Sequence, residues 1–153
     1  MINQKTTSRP FYCHLQIGYA MLTMVALAEA SMILSCLRYG KPMAVLIFSA
    51  LLFFLGACFL CLQITVDETF LQLRFGIGII RKAIPLDTIQ SYTRIRNSLL
   101  SGWGIRHFKR GMIWLYSVSG FDAVELLLKN GQKIRIGTDD PVGLVKALQV
   151  KIG

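Results

Sequence analysis

Two apolar stretches, residues 15–37 and 43–62, constrain this chain more than any other feature. They hold 23 and 20 residues and are parted only by Arg38-Tyr39-Gly40-Lys41-Pro42. As helices rising about 1.5 Å per residue, each reaches about 30 Å or more, the thickness of a bilayer's hydrocarbon core. The second carries no charge and the first only Glu29. The expectation is a transmembrane helical hairpin over 15–62, preceded by a polar lead over 1–14. A domain over 63–153 follows without a linker and is held at the membrane surface. A cleavable leader is the competing reading, because Ala28-Glu29-Ala30 has the small-x-small form of a cleavage site. The apolar run continues past it to Leu37, which favours an uncleaved span.

Charge locates the rest. Hydrophobic residues make up 54% of the 153, and the excess lies in the front half. Residues 63–153 hold thirteen of the seventeen Lys and Arg and seven of the eight acids, about +6 of the chain's net +9. Such charge suits an anionic partner, nucleic acid or an anionic leaflet. Attachment to a membrane favours lipid, and no nucleic acid is expected. Two spans leave both tails on one side. The basic residues of the lead and the domain outweigh Arg38 and Lys41 in the turn, so the positive-inside rule places both termini in the cytoplasm. The four cysteines, Cys13, Cys36, Cys58 and Cys61, lie in or beside the hairpin. Cys58-x-x-Cys61 has a redox or metal spacing, but an apolar helix with no second ligand pair lacks the polar setting that thiol chemistry needs. No disulfide and no metal site is expected.

Glu29 is the residue in the hairpin that a membrane resists. A carboxylate near the bilayer centre costs at least about 2.5 kcal/mol and is normally protonated, paired or turned toward protein. Folding the chain back at the turn sets Glu29 level with Leu51 and close to Ser49. The small residues Ala26, Ala30, Ser31 and Ser35 beside it permit close helix packing. It is either a neutral carboxyl in the helix interface or a contact for a membrane partner; the hairpin offers no second ionisable group for a proton relay.

Beyond the hairpin the apolar period becomes two. Ile64 and Val66 alternate with polar residues, Asp67-Glu68-Thr69 turns the chain, and Leu71, Leu73 and Phe75 resume the alternation, a β-hairpin. Gly76-Ile77-Gly78 then turns into a strand over 79–84 that Pro85 ends by removing a ladder donor. The turn lacks the third glycine and the helix of a nucleotide fingerprint. Near the end, Asn130-Gly131 invites a two-residue loop, but that register would set Leu126 opposite Arg135 and Leu128 opposite Lys133. A three-residue loop with Gly131 left-handed instead pairs Val124 with Ile136, Leu126 with Ile134 and Leu128 with Gln132, and puts Glu125 beside Arg135 on the outside. The last element is an amphipathic helix over 141–152. Asp140 caps it, Pro141 takes its first position, and Leu144, Val145, Leu148 and Ile152 share a face. Asp139-Asp140 suit capping rather than metal binding, with no histidine or further acid close by.

Basic and aromatic residues gather in the middle, residues 86–118. Alternation places Tyr92, Arg94 and Arg96 on one face of a strand. The block 102–111 then sets Trp103 and Phe108 with Arg106, Lys109 and Arg110 between glycines. Beside an anionic leaflet each Lys or Arg contributes about 1 kcal/mol, and Trp settles at the interface. These eight residues are the lipid-facing candidates. The plainer reading is a solvated loop whose Trp fills the core and whose charges only fix topology. His107 alone makes no metal site.

Several stretches together resemble one family, the bacterial pleckstrin-homology-like (PH-like) domains carried on membrane hairpins. They are Phe75-Gly76, the run Arg81-Lys82-Ala83-Ile84-Pro85-Leu86 leading to Ile89, and Gly102-Trp103-Gly104-Ile105-Arg106. Val118-Ser119-Gly120 before Ala123-Val124-Glu125, the Asn130-Gly131 hairpin, and Thr138-Asp139-Asp140-Pro141 before Leu144 and Leu148 complete the set. The resemblance covers residues 63–152. It implies an α+β, mainly β domain, a strongly bent antiparallel sheet or barrel of about seven strands plugged or capped by the C-terminal helix. It also implies a lipid- or protein-binding module of the bacterial inner membrane rather than an enzyme, and carries over no phosphoinositide-binding residue set. The residues agree: 63–153 has one histidine, no cysteine and no nucleophile-base pair that sequence can point to. No cofactor and no small-molecule substrate is expected. The alternative is a structural or assembly subunit that meets another membrane protein through the hairpin.

Overall fold

A strand stands in front of the helical hairpin. The computed structural model describes residues 10–40, 42–97, 104–108, 113–118 and 120–152. Its elements are β1 (Tyr12–Ile17), α1 (Tyr19–Tyr39), α2 (Pro42–Phe59), β2 (Cys61–Val66), β3 (Phe70–Phe75), β4 (Ile80–Pro85), β5 (Ile89–Arg96), β6 (Gly104–Phe108), β7 (Ile113–Ser117), β8 (Asp122–Leu128), β9 (Lys133–Gly137) and α3 (Pro141–Ile152).

Leu15, Gln16 and Ile17, expected at the head of the first span, belong to β1, and Cys61 and Leu62, expected at the foot of the second, belong to β2. These strands pair antiparallel from Tyr12↔Val66 to Ile17↔Cys61. The Gly18 N–H donates to Leu60 O at 2.7 Å where the helices leave them. An apolar run reads alike as a membrane helix and as a strand with one buried face, and here pairing separates the two. Leu62 is fully buried. The helical hairpin is thus the connection of a β-hairpin, and the domain begins before it. Cys13 and Cys61, expected outside the domain, lie in its strands.

The helices pack on each other. Before α2 reaches the sheets at Ala57–Phe59, its more buried positions are Val45, Ser49, Leu52 and Gly56, spaced four, three and four residues apart, the repeat of a left-handed pair. Gly56 makes room for Val25, whose Cγ2 lies 3.1 Å from where a Cβ at 56 would stand. Both helices are long and apolar enough to cross a membrane, and their outward side chains are exposed apolar residues such as Leu27, Leu34, Met43 and Phe53.

The strands form two open sheets: β1-β2-β3-β4, antiparallel throughout, and β5-β8-β9-β7-β6, in which β7 and β9 run parallel. This corrects the expected all-antiparallel barrel of about seven strands. At one seam the reason is Pro85. It ends β4 with no N–H to extend the ladder, a single 3-10 turn at Leu86–Thr88 follows, and β5 starts in the other sheet beside β8. One core joins both sheets and α3, from Ile64, Leu73 and Phe75 across to Leu126 and Ile136, with Leu144 and Leu148 fully buried against it. The Phe75 ring lies 5.9 Å from Phe59 and 6.2 Å from Tyr116, so one side chain ties the end of α2 to both sheets.

The last hairpin has the expected register, with Val124↔Ile136, Glu125↔Arg135 and Leu126↔Ile134 paired. Gly131 at φ +81 closes a three-residue loop in which the Leu128 N–H donates to Gln132 O at 2.8 Å. On its outer face Glu125 accepts from Lys133 Nζ at 2.9 Å and Arg135 Nε at 2.7 Å. Partial burial alone would raise this carboxyl, but the two cations outweigh it and hold Glu125 below the usual carboxylate range. A carboxylate depressed in the fold contributes stability that is present above its unfolded value, about 4.3, and is lost as pH falls through the lower folded value. Glu125→Gln is therefore expected to cost about 1 kcal/mol at neutral pH and to flatten the stability profile below about pH 5. Thermal midpoints measured from neutral to acid pH check this.

Asp140 caps α3 by accepting from the Gly143 N–H at 2.9 Å, as the sequence predicts. Both aspartates before the helix also hold β1: the Tyr12 hydroxyl donates to Asp140 at 3.1 Å, and His14 bonds Asp139. Burial, then the Asp140 carboxylate, push the Tyr12 hydroxyl well above its ordinary range, which keeps it a donor.

Candidate membrane-facing site

The junction between helices and sheets is close-packed. The Gly76 N–H donates to Cys61 O at 2.8 Å, and a Cβ on Gly76 would lie 2.0 Å from Ala57 O and 2.6 Å from the Cys58 carbonyl. The β3–β4 turn therefore presses on the last turn of α2. On the other sheet, Val118 Cβ lies 3.4 Å from the place of a Cβ on Gly18. The end of α2 and the start of α1 are thus both packed against the domain, with no linker between.

Of the expected lipid-facing residues, the structure describes the side chains of Tyr92, Arg94, Arg96 and Arg106, on two strands that are not neighbours. Tyr92 is half-buried against the core, opposite Leu126, while Arg94 and Arg96 farther along β5 are exposed. The block 102–111, expected as a loop, contributes β6 at Gly104–Phe108. Arg106 is exposed on it, and His107 lies 4.1 Å from the Trp114 ring. Trp103, Lys109 and Arg110 lie outside the described residues, and of Phe108 only the backbone is described. β5 and β6 are the two edges of a five-stranded sheet, so Arg106 and the Arg94–Arg96 pair stand four strand spacings, about 19 Å, apart. Among the described residues these three arginines have no acid within ion-pairing reach.

Glu29 meets Ser49, whose hydroxyl donates to its carboxyl at 2.5 Å between the helices. That is the neighbour expected from the turn, and it supports the reading of a carboxyl settled in the helix interface.

A second group of residues, unflagged by spacing, does converge. Arg74 and Arg81 are cross-strand partners on β3 and β4. The Arg81 Nε–H donates to Gly78 O at 2.7 Å, and the Arg74 guanidinium fills the space beside Gly78 where a Cβ would stand 2.2 Å from its Nε. Both guanidinium groups therefore rest on one residue of the turn that touches α2. Ile77 and Ile79 of that turn are 55% and 62% exposed, too much for core residues. The signal in the sequence is Arg74-Phe75-Gly76-Ile77-Gly78-Ile79-Ile80-Arg81, two arginines and three isoleucines around a glycine turn; register is what makes Arg74 and Arg81 a cluster.

No family model, curated protein or solved structure matches this chain. Its residues define an α+β domain of two open sheets and a C-terminal helix, with two long apolar helices inserted between the first two strands.

Proposed function

We propose that this chain is a membrane-anchored, non-catalytic binding module of PH-like type at the cytoplasmic face of a bacterial inner membrane, and that its β domain engages anionic lipid head groups. One observation carries the reading: β1 and β2 are hydrogen-bonded to the point where α1 and α2 begin and end, so a spanning hairpin presses the domain onto the bilayer surface. Paired strands also put both flanks of the hairpin on one side. The positive-inside rule assigns that side to the cytoplasm, since the domain carries about +6. A basic domain fixed within a Debye length of an anionic leaflet gains about 1 kcal/mol for each Lys or Arg near the surface.

The test is the lipid content of the full chain purified from bacterial membranes in mild detergent. Phosphatidylglycerol and cardiolipin are expected to be enriched over phosphatidylethanolamine, and the enrichment to fall as ionic strength rises. A stoichiometric membrane-protein partner with no lipid enrichment overturns this reading and establishes the assembly-subunit alternative.

A further inference from the structure

Resting on the reading of α1 and α2 as spans and of lipid as the ligand, we infer that the turn at residues 76–79 is a membrane wedge. Ile77 and Ile79 enter the head-group boundary, and Arg74 with Arg81 hold the phosphodiester of an anionic phospholipid.

Depth follows from length. α2 has 18 residues, about 27 Å of helix, so a span through a core of about 30 Å needs its whole length. Its last turn must then sit at the hydrocarbon boundary. The contact of Gly76 with Ala57 and Cys58 fixes the turn at that level. Isoleucines exposed by more than half would be costly in water and suit that depth.

Charge supplies the ligand. Two guanidinium groups gathered on one glycine repel each other, and neither has an acid within ion-pairing distance among the described residues. From Cys61 to Pro85 the acids are Asp67 and Glu68, in the turn at the far end of the same strands. Convergent arginines match a phosphate's planar, bidentate contacts. At the boundary level the abundant phosphate belongs to lipid, so a phospholipid of the host leaflet is the occupant. Gly78 makes the arrangement possible twice: its φ of +85 shapes the turn, and its missing side chain admits Arg74.

Ile77→Trp in the full chain, in nanodiscs carrying brominated phosphatidylglycerol or brominated phosphatidylcholine, reads depth and preference together, with the parent chain giving the background of Trp103 and Trp114. Fluorescence of the introduced indole is expected to be quenched by both lipids, and more strongly by the anionic phosphatidylglycerol at equal mole fraction. Adding R74Q and R81Q is expected to lower that preference about fivefold for each arginine while quenching by the phosphatidylcholine lipid stays above the parent's background. Quenching no greater than the parent's overturns the wedge. Equal quenching by the two lipids, or a preference that survives R74Q/R81Q, overturns the phosphate site. A preference abolished by inorganic phosphate, but not by sodium chloride of equal ionic strength, shows a site for free phosphate and overturns lipid as the source. Bulk phosphatidylglycerol enrichment of the same preparations separates the two readings. Enrichment without quenching of the introduced indole removes the wedge alone, whereas no enrichment at all removes lipid binding as well.

Discussion

A chain reduced to residues 63–153 is expected not to fold. The cut is the natural one from hydropathy, yet it removes β1 entirely and Cys61 and Leu62 from β2. Burying Leu62 contributes about 2–3 kcal/mol, and each backbone hydrogen bond of the lost β1–β2 ladder about 1 kcal/mol. Their sum is comparable with the whole stability of a small domain, about 5–15 kcal/mol. The loss also takes Tyr12 and His14 from Asp140 and Asp139 ahead of α3, and takes from Lys151 the Phe11 ring that lies 3.4 Å from its ammonium. The converse is an expected success. Replacing residues 18–60 by Asn-Gly joins Ile17 to Cys61, which already face each other, through a two-residue hairpin loop. That chain is expected to give a dispersed amide spectrum in water, although with Phe75 less shielded for want of Phe59. A folded 63–153 fragment would show that β1 is not integral, and an unfolded Asn-Gly chain that the helices are.

Gly76→Ala is expected to be the most damaging single substitution at the junction. The residue sits at φ +44, where a side chain costs about 1–2 kcal/mol. Its new Cβ would lie 2.0 Å from Ala57 O, a backbone atom at the end of a helix that cannot rotate away. Forcing the helix end and the turn apart adds about 1–3 kcal/mol, for a total of about 3 kcal/mol or more. Gly131→Ala is the control, because φ is +81 there and nothing lies within 4 Å of the new Cβ. Only the conformational cost applies, about 1–2 kcal/mol. In detergent the thermal midpoint should fall by about 10 °C for the first and about 4 °C for the second. Equal losses would mean that the contact between turn and helix contributes nothing.

Much of the domain was legible in the chain because strands with one wet face write their period into the sequence. The β8–β9 hairpin is the clearest case: only one loop length lets Val124, Leu126 and Leu128 share a face with Ile134 and Ile136, and that register is the one formed. The cap at Asp140 was readable for a similar reason, since cap, Pro141 and apolar face are all local. β1 was not, because Tyr12–Ile17 runs straight into a membrane-length apolar stretch and its partner lies about 50 residues away. Strand placement is equally remote from sequence order. Arg94, Arg96 and Arg106 are near in sequence, yet β5 and β6 take opposite edges of the sheet.

By itself, then, the sequence determined the two long apolar helices, their tight turn, the alternating strands, the last hairpin and the capped C-terminal helix. Each of these depends on contacts between neighbours along the chain, where hydrophobic period and turn chemistry act directly. Only the tertiary structure decided that the helices are inserted into a β-hairpin, that the strands make two open sheets with one parallel pair, and that Arg74 and Arg81 converge on Gly78 against the end of α2. Those outcomes rest on which strand edge finds which partner across many residues, a choice set by burial of the shared core and invisible to any local pattern.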